Sequence, residues 1–411
     1  MSSPTTVPTA PGTRPGASPA EGGGRLNRQR IVEGLAGDYR LVPVILSLVV
    51  ILAFFALTTA DFLSARNLSN LALQIVVTGV LALGLVLVLL IAEIDLSVAA
   101  LSAVCATLMA SLHVTHGWSP VVAVVVAVLA GMAFGTFQGT LVVFGAPSFV
   151  VTLGGSLALG GVLLLLLPNA GQINLALSPI ADIAGTYLSP AVGWAVLAVG
   201  LVGFGALRFT AFRAHGGRKG GPGLRREVVV PLVVVAASGA VVLTVLNSYR
   251  GVPLAVAILL GLLLVVWYAT TQTRFGVYLF AMGGNEEAAR RAGVPVRRLR
   301  VTVFALAGGF AAIAGIIAAS RLLGVSSQTG GGTLLLQAIA AAVIGGASLF
   351  GGRGSVWAAL LGALVIGSVS NGLDLRGSPD EVKLIVQGTI LVLAVCIDAV
   401  VSRGSLWPKV S

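Results

Sequence analysis

The sequence predicts an all-α fold, a polytopic transmembrane helical bundle, and three observations carry that prediction. Of 411 residues, 57% are hydrophobic and only 9% charged, more apolar surface than a water-soluble core can hide behind so few polar groups. Uncharged runs long enough to cross a bilayer recur along the whole chain. The 25 Lys and Arg residues are concentrated between the runs, which turns a basic composition away from nucleic acid and toward the membrane surface and its lipid.

Taken in order, residues 1–39 begin rich in Pro, Gly, Ser and Thr without an apolar core, and read as a disordered cytosolic tail, neither signal peptide nor span. Arg25, Arg28, Arg30 and Arg40 precede the first apolar run, Leu41–Ala60, and open a transmembrane domain spanning 40–402. Further runs lie near 71–92, 97–115, 120–143, 149–167, 190–207, 228–246, 253–271, 301–320, 334–350, 355–372 and 384–401, about twelve spans in all. A short tail, 403–411, follows. If every run crosses, twenty Lys and Arg fall on one side and five on the other. The positive-inside rule then places both termini, the basic loop 208–226 and the segment 273–300 in the cytoplasm.

Two stretches leave open whether the chain crosses fully or re-enters as a half-helix. AEIDLS at 92–97 joins two apolar runs without a loop, and 334–350 is followed closely by Gly351 and Gly352 after its own Gly345 and Gly346. Irregular backbone at membrane depth is tolerated only inside protein or against a cavity. The basic loop 208–226 is Gly-rich but lacks the GxxxxGK[ST] phosphate loop, as does the whole chain, so nucleotide energy would have to come from another subunit. Cys105 and Cys396 sit in apolar runs, and His113, His116 and His215 show no ligand spacing. No metal site and no catalytic cluster are expected.

Gly131, Gly135 and Gly139 share one helical face and read as a close helix contact. Gln138 beside them is a polar side chain within a span, placed to face a passage. Asp95 reads first as the cap of a helix beginning at Leu96, with an ion-coupling role less favoured because paired ionisable groups at mid-membrane are almost absent. Asn371 reads as a cap on its span's last carbonyls or as a lining of the outer mouth. Asp95, Ser97, Gln138 and Asn371 are the candidates for the translocation pathway.

GGNEEAARRAGVP, from Gly283 to Pro295, is coded as a short, separately capped helix over 285–293. Asn285 is a good N-cap, Glu286 and Glu287 lie at the positive end of the dipole, and Arg290 and Arg291 lie at the other. Gly293 supplies a left-handed residue and Pro295 prevents continuation. About two turns cannot repay nucleation in water, so such a helix must rest on something else.

TRFGVYLFAMGGNEEAARRAGVPV at 273–296 resembles the cytoplasmic coupling segment of the monosaccharide branch of ABC-importer permeases, the ribose, xylose and arabinose group. EIDLSV at 93–98, GAPSFVVTLGG at 145–155 and AIAAAVIGGASLFGGRGSVWAALLGALVIGSVSNGL at 338–373 are similar to that group's recurring blocks. Glu93 before IDLS, NSYRGVP at 247–253 and the extra basic loop with its two flanking spans resemble the xylose type. Ala92 and Ala99 depart from the family's usual glycines, and Ala146 from its Ile or Val.

The resemblance implies a subunit without enzymatic activity that pairs with a second permease copy. It implies two cytoplasmic ATPase subunits, or one with duplicated sites, that use ATP and Mg, and an extracytoplasmic sugar-binding protein. No cofactor is expected in this chain. Gly284, Asn285, Glu286, Glu287, Ala288, Ala289 and Gly293 match the coupling motif, with the small Ala288, Ala289 and Ala292 expected to seat closely in a partner's groove. The competing expectation is an ion-coupled secondary transporter of a small neutral solute, which needs no ATPase.

Overall fold

The computed structural model describes residues 42–214, 224–331 and 333–404. The expected tail at 1–39, the middle of the basic loop and most of the tail at 403–411 lie outside them. The chain runs through α1 (Val42–Thr58), α2 (Ala65–Leu90), α3 (Val98–Ala110, prolonged by a wider turn Ser111–Thr115), α4 (Pro120–Val143) and α5 (Ser148–Leu166). Strands β1 (Gln172–Asn174) and β2 (Tyr187–Leu188) precede α6 (Pro190–Ala214) and α7 (Val230–Asn247). β3 (Val252–Pro253), α8 (Leu254–Gln272), α9 (Arg274–Gly284), α10 (Glu286–Arg291), α11 (Val296–Leu322) and β4 (Gly324–Ser326) follow, then α12 (Thr333–Ile344), α13 (Trp357–Leu375) and α14 (Asp380–Gly404).

Two helices form the axis. α2 is buried on every side from Ile75 to Leu90, and α11 along most of its length from Val303 to Ser320. Lipid offers no hydrophobic reason for one apolar helix to leave it for another, so close backbone approach must bring them together. Glycine and alanine supply it. A Cβ at Gly84 of α2 would lie 3.2 Å from the Cα of Ala307 of α11. Gly131 and Gly135 of α4 face the carbonyl oxygens of Gly308 and Phe304 of α11, and Gly139 packs on Val301 and Phe304, so the GxxxGxxxG face is a helix contact. On the other flank Gly362 of α13 sits against the Ala341 carbonyl of α12, and Gly367 against Ile75 of α2. Outer helices leave apolar side chains such as Leu129, Leu157, Leu165, Val199 and Val241 exposed, which suits contact with hydrocarbon.

At one end of the bundle β1 pairs antiparallel with β4 and β2 with β3, tying the long 168–189 connection to the turns after α11 and α7. The opposite end carries α9, α10 and the turns 91–97 and 345–356.

Among the described residues nine helices are long and apolar enough to cross a membrane, against the expected twelve or so. α1, as described, is one of the shorter apolar helices, and α14 is not among the nine. α12 has 12 residues and rises about 18 Å, too little for a hydrocarbon core of about 30 Å. Ahead of it, in the non-helical turn after β4, Gly330 meets Ala99 and Ala103 of α3. Residues 92–97 are likewise non-helical. Cys396 is exposed, whereas Cys105 is buried beside Gly131.

Candidate functional site

Thr273 ends α8 and starts α9, its hydroxyl accepting from the Phe275 N–H at 3.2 Å. Gly276, Leu279 and Met282 recur every three residues and are the buried face of α9. This helix was not foreseen. Its signals, a Thr cap and a three-residue period, lie in the 273–300 segment ahead of the capped helix expected at 285–293.

α10 follows after a single non-helical residue. Asn285 Oδ1 accepts from the Ala288 N–H at 2.9 Å, which satisfies one of the donors a helix start leaves open. Arg290 lies 2.8 Å from Glu286 and Arg291 2.9 Å from Glu287, and Gly293 closes the helix at φ +85°. Glu287, Ala288, Arg290, Arg291, Ala292 and Gly293 are exposed. Ala289 is not: it is 4% exposed and packs toward its own chain, so only Ala288 and Ala292 offer small surfaces outward.

The junction beneath α10 is made of backbone. A Cβ at Gly283 would overlap the carbonyl oxygen of Leu90, the last residue of α2, and come 2.5 Å from the Gly352 nitrogen. Gly352 N–H in turn donates to Leu90 O at 3.0 Å. Gly351 and Gly352 adopt φ +80° and +65°, left-handed values that let the 345–356 turn fold flat against Gly284 and Ala92. Three segments about 190 and 70 residues apart in sequence therefore meet where side chains would not fit.

Charge closes the same junction. The Arg300 guanidinium, on the second turn of α11, lies 2.8 Å from Glu93 through Nε, and its Nη2 donates to Glu286 at 2.6 Å. Burial pushes the Glu286 carboxyl up, but Arg300 and Arg290 outweigh it and hold the group below its ordinary range. The sequence reading counted Arg300 only as one more cytoplasmic charge. No local pattern links it to an acid 207 positions earlier.

Asp95, Ser97 and Gln138, candidates for the passage, come together and are 1%, 0% and 1% exposed. Asp95 Oδ1 accepts from the Ser97 N–H at 2.8 Å and lies 2.7 Å from its hydroxyl oxygen. Ser97 Oγ is also 3.0 Å from Gln138 Oε1, while Gln138 Nε2 is without a partner. One hydroxyl proton cannot serve both oxygens, and exchanging the two ends of the Gln138 amide satisfies the nitrogen and frees Ser97 for Asp95. The helix starts at Val98, not Leu96; Asp95 caps the turn ahead of it rather than the helix itself. Gly155 of α5 lies against the Gln138 amide, where a Cβ would come within 2.5 Å.

Asn371 is elsewhere. It does not cap α13, whose C-cap is Arg376: its amide exchanges two hydrogen bonds with Asn67 of α2, at 2.7 and 3.0 Å, and Asn67 also donates to Phe62 O. Among the described residues no cluster of His, Cys, Asp or Glu has the makings of a metal site.

Comparison with known proteins places this arrangement. The chain is 37% identical to the xylose transport system permease protein of Escherichia coli (strain K12) over 376 residues, 90% of this chain and 94% of that one. It is 37% identical to the protein of that name from Haemophilus influenzae over 365 residues, 86% and 95% of the two chains. It is 32% identical to the ribose import permease protein of Escherichia coli (strain K12) over 355 residues, 86% and 92%. No solved structure matches. The family model described as branched-chain amino acid transport system / permease component matches residues 67–395. That span takes in α2, the 91–97 turn, α9, α10 and the 345–356 turn, every part of the junction, and the chain belongs to this family of transport permeases.

Proposed function

We propose that this protein is the membrane-spanning subunit of an ATP-driven importer of a monosaccharide, xylose or a closely related sugar. The relatives named for xylose and ribose favour a sugar over the amino acid of the family's description, and a neutral sugar asks for hydrogen-bonding groups rather than charge along its path. The observation that carries the reading is α10: a capped two-turn helix that shows its charged and small side chains to solvent while its base is locked to two turns of the bundle. In this reading Gly284, Asn285, Glu286, Glu287, Ala288 and Gly293 form the surface that docks on an ATPase, with Ala289 anchoring the helix from behind.

The rest of the assembly follows from that role. Both termini and α10 are cytoplasmic, with α1, α14 and the half-helix α12 together with the turn ahead of it bringing the passages to about twelve. Two copies pair in the bacterial inner membrane and bind two ATPase subunits, or one with duplicated sites, that supply ATP and Mg chemistry. A sugar-binding protein delivers at the β1–β4 end. Closure of the ATPases moves α10 as a lever, and the bundle alternates between two openings. Asp95, Ser97 and Gln138 border the moving turn; Asn371, paired with Asn67, holds helices rather than sugar.

Co-expression with an ATPase and a sugar-binding protein found among the neighbouring reading frames, followed by reconstitution, tests the reading. ATP-dependent uptake of labelled xylose or a related pentose is the expected result. Uptake driven by an ion gradient without any ATPase would instead assign a secondary transporter.

A further inference from the structure

We propose that Arg300 is a positioning residue that carries the movement of α10 into the 91–97 turn, by tethering Glu286 to Glu93; this rests on the reading of α10 as the ATPase-docking helix. Arg300 and Glu93 are 12% and 14% exposed in their side chains, while neighbouring Arg297 and Arg298 are exposed. A guanidinium is drawn out of water only where carboxylates take over its hydration. Here two lie against it, from different segments: Nη2 donates to Glu286, while Nε makes a close ion pair with Glu93 without an aligned hydrogen bond, and the planar fork of arginine suits two such partners better than a lysine ammonium.

Its mechanical role follows from what surrounds it. The contacts of Gly283 with Leu90 and Gly352 are largely close packing, which resists compression but holds weakly when the surfaces separate. When α10 is pushed inward, these glycines transmit the push. When α10 is drawn away, the Glu286–Arg300–Glu93 tether is what pulls. Glu93 lies two residues before Asp95, which holds Ser97, which touches Gln138 of α4. The tether thus ends on the one turn that connects α2, α3 and the buried polar network. Arg290 takes the other oxygen of Glu286, keeping that carboxylate oriented toward Arg300.

The test uses the reconstituted importer with Arg300→Gln, Glu93→Gln, the double variant and Arg300→Lys. Retention of the ATPase, ATP hydrolysis and labelled xylose uptake are measured together. The expected result is a retained, hydrolysing ATPase with uptake per ATP lowered about tenfold in each Gln variant, no further loss in the double variant, and partial recovery in Arg300→Lys. A merely structural role would lower ATPase retention and uptake together, and that outcome overturns the proposal, as does uptake per ATP equal to wild type in both Gln variants. If Arg300→Gln does not accumulate in the membrane, Glu93→Gln, which keeps the Arg300–Glu286 pair, carries the same test. Failure of the broader reading has a different signature: the wild-type chain itself would show no ATP-dependent uptake.

Discussion

Ala92 holds φ +61°, a left-handed conformation that costs a residue with a Cβ roughly 1–2 kcal/mol. It stands where the resembled family usually has glycine, so the departure visible in the sequence acquires a physical meaning. Ala92→Gly is expected to stabilise the fold by up to about 1 kcal/mol, after the entropy a glycine loses on folding; a fall in the thermal midpoint of the detergent-purified protein would contradict this. Asn67 and Asn371 show the reverse case, a polar pair whose cost appears only when it is broken. Asn67→Ala leaves the buried Asn371 amide half satisfied and is expected to cost about 1–3 kcal/mol. Asn67→Leu with Asn371→Leu should cost less than the sum of the singles, read by a double-mutant cycle on the same thermal midpoint. Glu286 adds a pH dependence. Its folded pKa lies below the ordinary glutamate value, so its contribution is complete above about pH 4.3 and is lost as pH falls through the lower folded value. Glu286→Gln should therefore be less stable than wild type at pH 7 and converge with it in acid.

At the scale of elements, glycine decides where helices may touch. Gly135 meets the Phe304 carbonyl, and α4 has no room to retreat without also leaving Val301 and Gly308. Gly135→Val is expected to separate α4 from α11 and to cost about 1–3 kcal/mol, seen as reduced membrane yield and a lower thermal midpoint; an unchanged yield and midpoint would mean that this contact is slack. The GxxxGxxxG spacing announced a helix contact from sequence because periodicity survives without tertiary information. The partner, α11, was not legible, since many alanine- and glycine-bearing runs offer an equally smooth face. α10 was legible for a different reason: its cap, dipole charges and terminal glycine are all local. α9 was missed because its buried face, Gly276, Leu279 and Met282, is too brief a period to stand out beside the caps of α10, and α12 is short where an apolar run of seventeen residues left both a crossing and a half-helix open.

For the whole molecule, the decisive quantity is which end of the bundle faces the cytoplasm. With Cys105 and Cys396 replaced by serine, a cysteine at Glu287 should react with an impermeant maleimide only after permeabilisation. One at Gly171, in the connection before β1, should react in intact cells. The opposite pattern would invert the bundle and place α10 beyond reach of any ATPase. The charge count foretells this outcome because moving Lys and Arg across a bilayer is costly whatever the fold around them.

By itself the sequence determined the solvent this chain folds in, the approximate positions of its helices and the cap of α10, because hydropathy, helix ends and glycine spacing act over a few residues at a time. Only the tertiary structure decided that Arg300 joins Glu93 to Glu286, that Gly283 rests on Leu90 and Gly352, and that Asn371 belongs to Asn67. Each of these pairs residues far apart in the chain, and an ion pair, a backbone contact or an amide exchange leaves no periodic trace in sequence; the packing of α2, α11 and α13 brings them together.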